Sequence, residues 1–157
     1  MILALRTNTF IWKSPLNKYI DDILSKSNVQ LIDLPWHLFT RFKTDPNHFT
    51  WKGYKIFCKH LKLNLTEFLE TGDRIHIISD STIGFWQHRG SKYLKQYFKE
   101  YKVTVDAICG SGYHSYPRFD ERILNVSHYD KLLIIGGWND NSFQECRTSI
   151  NNITSKI

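Results

Sequence analysis

Ser81 follows the apolar run Arg74–Ser79 (RIHIIS), at the corner where such a strand must turn into a helix. A serine there presents its hydroxyl at the edge of a sheet and can attack an ester carbonyl once a base takes its proton. Asp45 and His48, three residues apart in Asp45-Pro46-Asn47-His48, can share one short turn in which the carboxylate holds the imidazole tautomer. Acyl transfer also needs donors for the developing oxyanion. In Cys109-Gly110-Ser111-Gly112 the glycines let a backbone N–H come close to a substrate. Asn139, in Gly136-Gly137-Trp138-Asn139-Asp140, adds a neutral side-chain donor. Asp80, Gly110, Trp138 and His114 lie in the same segments and are the candidate substrate contacts.

Elements must position these segments, and the periodicities supply them. Continuous apolar runs at Ile2–Thr7, Val29–Leu34, Arg74–Ser79, Val103–Ile108 and Lys131–Ile135 read as buried strands. Helical patterns over Leu16–Ser25, Thr50–Leu63, Ser91–Tyr101 and Asn141–Ser155 separate them. Buried strands alternating with helices imply βαβ units, hence a three-layer α/β/α class with a parallel sheet covered on both faces. Ligands of such sheets bind outside the carboxyl ends of the strands. Each candidate segment follows a predicted strand, Asp45–His48 doing so after an aromatic loop.

Ser79-Asp80-Ser81, Gly110-Ser111-Gly112, Gly137-Trp138-Asn139-Asp140 and Asp45-Pro46-Asn47-His48 together resemble the four sequence blocks of the SGNH hydrolases, also called GDSL esterases. Ser79 stands where that family usually has Gly. The run from His48 to Tyr54 (HFTWKGY) is similar to the family's helix start after the histidine. The resemblance implies Ser81 as nucleophile, His48 as base and Asp45 as its partner. The oxyanion would be held by the Ser81 N–H, the Gly112 N–H and the Asn139 side chain. No metal and no organic cofactor is implied.

The order of the blocks departs from the family's, in which the Asp-X-X-His block closes the chain. Moving residues 1–62 behind residue 157 restores the order, so the chain resembles a circular permutant. Residues 1–62 would correspond to the family's C-terminal part, 73–157 to its N-terminal part, and Lys62–Gly72 to the new connection. A domain swap between chains is the other arrangement that reunites the blocks. Rewired termini leave a core intact because they lie at the surface. The family's flavodoxin-like, five-stranded sheet then implies the order Val103–Ile108, Arg74–Ser79, Lys131–Ile135, Ile2–Thr7, Val29–Leu34, with Ile157 beside Met1.

The 157 residues, 41% hydrophobic and 23% charged, fit one globular domain (1–157) and exclude a disordered or fibrous chain. No apolar run approaches the ~20 residues of a membrane helix. At the N-terminus apolar residues precede the charges, the wrong order for a secretory signal, so a soluble cytoplasmic protein is expected. Three widely spaced cysteines argue against a disulfide framework and a zinc site. Residues 1–72 carry +4 of the net +6, so the excess reads as spread along the chain.

Taken singly, Ser81 reads as a helix cap, Gly-Gly-Trp-Asn-Asp as a turn, and Asp45 as the cap of the next helix. Together, at separate strand tips, they read as a site. The expected function is therefore a serine esterase acting on a small-molecule, glycan or lipid ester. The loops bearing Trp36, Trp51, Trp86 and Trp138 are expected to wall a narrow pocket for small acyl groups such as acetyl. Acyl transfer differs only in the acceptor. The rival from another class is a catalytically decayed module that binds nucleic acid or another polyanion. It would use the lysine stripes Lys52, Lys55, Lys59, Lys62 and Lys92, Lys95, Lys99.

Overall fold

The computed structural model describes residues 1–6, 15–38, 42 and 48–156. Five strands form one parallel sheet: β1 (Ile2–Leu5), β2 (Val29–Ile32), β3 (Arg74–Ser79), β4 (Lys102–Ala107) and β5 (Lys131–Ile135). Their order is β2-β1-β5-β3-β4, the one the sequence implied. The chain's first strand pairs in parallel with its last, Ile2 opposite Leu132 and Ala4 opposite Ile134. β5 then pairs with β3 from Ile75–Lys131 to Ser79–Ile135, so the tips of β5, β3 and β4 are neighbours. Ile157, expected beside Met1, lies outside the described residues. The Met1 ammonium donates to the Asp130 carbonyl at 3.0 Å, at the amino end of β5.

Helices cover both faces because both faces of the strands are apolar. Leu3, Leu5, Ile75, Ile77, Leu133 and Ile135 pack under α2 (Trp51–Leu65) and α4 (Gln87–Tyr97). Ile2, Ala4, Ile78, Leu132 and Ile134 pack under α1 (Pro15–Ser25), α5 (Phe119–Ile123) and α6 (Phe143–Thr154). The short α3 (Ser81–Gly84) links β3 to α4. Cys58, the helical cysteine at apolar spacing, is buried in the α2 core.

Strand and helix ends differ from expectation by a few residues. The first two strands stop short of Thr7 and Leu34, and the helix expected at Ser91–Tyr101 spans Gln87–Tyr97. Gln87 opens that helix with a left-handed φ of 49°, a start that no capping residue announces. α3 and α5 are four and five residues long, too short to show a helical period.

In space, the charge is not spread. α2 and α4 hold seven Lys and Arg and no carboxylate, so the rest of the chain, with fourteen cations and fifteen carboxylates, is net −1. Sequence halves conceal this because the two helices lie on either side of residue 72 and meet only in the fold. Among the described residues, no helix is long and apolar enough to cross a membrane.

Candidate active site

Asp80 follows β3 and caps α3: it is 1% exposed, and its carboxylate accepts the Thr82 N–H at 2.8 Å. Ser81 is therefore the first residue of a helical turn, with a backbone N–H that has no intrahelical acceptor. Burial raises the Asp80 pKa to about 6, although the bond from Thr82 favours its charged form. Gly136 sits against this carboxylate, and a Cβ there would lie 2.8 Å from Asp80 Oδ2.

Asn139 joins the three neighbouring tips. Its Nδ2 donates to the Ser111 carbonyl at 3.0 Å and lies 3.5 Å from Asp80 Oδ2. Asp140 organises the adjoining loop, its carboxylate accepting the N–H groups of Tyr113 (3.0 Å), His114 (2.7 Å) and Ser115 (3.0 Å). Burial nevertheless pushes the Asp140 pKa up. Gly112 is imposed by this clamp, because a Cβ there would lie 2.4 Å from Asp140 Oδ1. Its N–H, expected to face an oxyanion, instead donates to the Ser115 carbonyl at 2.9 Å. The glycine thus has a packing reason that its spacing did not reveal.

His48 is half-buried and stacks on Phe85, with ring centroids 4.3 Å apart and an interplanar angle of 16°. Phe85 lies one turn beyond Ser81, and its N–H donates to the Ser81 carbonyl at 3.0 Å. The fold therefore brings His48 to the helical turn that starts at Ser81. Two residues on, Thr50 caps α2 by accepting the Gly53 N–H at 3.1 Å, which fixes where the histidine loop ends. Asp45 lies outside the described residues.

The remaining candidates take varied places. Gly110 is exposed in a left-handed turn with φ 79°. His114 Nδ1 pairs with the Glu145 carboxylate. Trp138 meets Trp36 edge-on at 5.5 Å. Of the tryptophans expected to wall a pocket, Trp36 is 4% exposed and stacks on Phe57, while Trp51 packs on Tyr54, Tyr93 and Trp86. All four rings thus pack with the core beneath α2 and α4, Trp36 inside it and Trp51, Trp86 and Trp138 against it.

Two contributors were not anticipated. Phe85 carries the histidine. Arg122 braces the β3 and β4 tips from below, donating to Asp106 Oδ2 (2.9 Å), the Asp106 carbonyl (2.7 Å) and Ser111 Oγ (2.8 Å). It stands near the end of α5, a helix too short to announce itself in the sequence. No protein-family model, no curated protein and no solved structure matches the chain.

Proposed function

We propose that the protein is a serine esterase of SGNH type in circularly permuted order, cleaving a carboxylic ester through an acyl-Ser81 intermediate. The observation that carries this reading is the contact of Asn139 Nδ2 with both the Ser111 carbonyl and the Asp80 carboxylate. It ties three strand tips together one residue before Ser81, on the helix against which His48 stacks.

Ser81 Oγ attacks the ester carbonyl as His48 accepts its proton. The imidazolium then protonates the departing alcohol, and a water activated by the same histidine releases the acid. Catalytic hydrogen bonds often tighten only once substrate is bound, and His48, stacked one turn from Ser81, would close on the serine in that way. Asp45 would orient the imidazole. The Ser81 N–H is the oxyanion donor already unengaged at the start of its helical turn, whereas the Asn139 amide would first exchange its contact with Ser111 or Asp80, and Gly112 its bond to Ser115. Hydrolysis of p-nitrophenyl acetate tests the reading. Wild type should turn over and Ser81→Ala should lose nearly all activity; a wild-type protein without turnover, or an active Ser81→Ala, overturns it.

A further inference from the structure

α2 and α4 lie side by side and run the same way. Tyr54 Oη donates to the Gly90 carbonyl at 2.8 Å near their starts, and Lys62 Nζ donates to the Tyr97 carbonyl at 3.0 Å near their ends. Both begin at the candidate site, α2 just after His48 and α4 just after the α3 turn of Ser81. Ring contacts continue from the histidine into this layer: His48 on Phe85, Phe85 against Trp86, Trp86 against Trp51, and Arg89 3.9 Å over Trp51.

Lys52, Lys55, Lys59, Lys92, Lys95 and Lys99 are exposed, and among the described residues none forms an ion pair. A cavity of about 350 Å³ opens on α4, lined by His88, Ser91, Lys92, Lys95, Gln96 and Lys99. Neither helix carries a carboxylate; Glu100, just beyond α4, pairs with Lys62 at the far end of the layer and leaves the other lysines without an ion pair among the described residues. A solvated face ordinarily interleaves charges of both signs. Three facts therefore coincide here: six exposed lysines without an ion pair, a concavity among three of them on the α4 side, and helices that start at the site.

We propose that this layer binds the substrate, and that the substrate is an O-acylated acidic polysaccharide laid along α2 and α4 with its ester at Ser81. The inference rests on the esterase reading for the ester, and on charge complementarity for the polymer. A polysaccharide with carboxylates offers both anions for the lysines and a hydroxyl on each unit to carry an acyl group. DNA offers phosphates without free hydroxyls along its chain.

Fluorescein-labelled carboxymethyl cellulose, partly O-acetylated, is the probe, titrated by anisotropy into Ser81→Ala protein. Binding should weaken on the order of 10- to 100-fold between 50 and 200 mM salt. Lys55→Glu, Lys59→Glu, Lys92→Glu and Lys95→Glu together should abolish it, and the four Lys→Gln changes, which keep shape without repulsion, should weaken it at least about tenfold. On the Ser81 background, the glutamine variant should turn over p-nitrophenyl acetate like wild type while losing kcat/KM on the acetylated polymer. Equal polymer binding by wild type and the glutamine variant overturns the proposal, as does a DNA of equal charge bound tenfold more tightly than the polysaccharide. Polymer binding by a wild-type protein that cleaves neither ester would instead sink the esterase reading and leave this surface standing.

Discussion

At the scale of single residues, the site is built from carboxylates held by backbone N–H groups, and each has a measurable consequence. Asp80 is the clearest. Its folded pKa, about 6, lies above the ordinary 3.8, so between those values the folded state holds a proton that the unfolded chain has released. Asp80 therefore contributes a loss of stability as pH rises from about 4 to 6, on the order of 3 kcal/mol, that levels off above. Urea midpoints across that range should show this slope in wild type and lose it in Asp80→Asn; equal slopes would contradict the assignment. Gly112→Ala forces a Cβ against Asp140 Oδ1 and should cost about 1–3 kcal/mol by thermal melting. Asn139→Ala should lower kcat on p-nitrophenyl acetate by roughly 10²–10³ if its amide serves the oxyanion. Ser81, Asn139 and the glycines were legible as a set because each follows a strand. Phe85 and Arg122 were not, since stacking on a histidine and bracing two strand tips are tertiary contacts that leave no local pattern.

At the scale of elements, the strands were readable because each is a buried apolar run, and both faces of the sheet demanded helices. The ends were less so. α3 and α5 fall below one helical repeat, and α4 starts at Gln87 in a backbone region that nothing in the sequence favours. The two helices of the basic layer are joined by few polar contacts, which makes them good places to probe. Tyr54→Phe removes the buried bond to the Gly90 carbonyl and should cost about 1 kcal/mol. Thr50→Ala removes the α2 cap and should cost a similar amount, about 1 kcal/mol. Chemical denaturation reads both; a cap variant as stable as wild type would mean that tertiary packing alone holds the start of α2.

At the scale of the whole molecule, the pairing of β1 with β5 is what lets His48, from early in the chain, reach the helical turn that starts at Ser81 in its middle. Sheet order was legible through the resemblance, whose blocks lie at strand tips, and the parallel first-to-last pairing follows that order. Charge polarity was not legible, because two helices remote in sequence share one layer. The central claim is that Ser81 is a nucleophile activated in this fold, and covalent trapping addresses it without a choice of substrate. Wild-type protein treated with an alkyl fluorophosphonate and digested should carry the phosphonyl group on the peptide containing Ser81, and His48→Ala should carry little or none. A label on another serine, or no label on folded wild-type protein, would contradict the account.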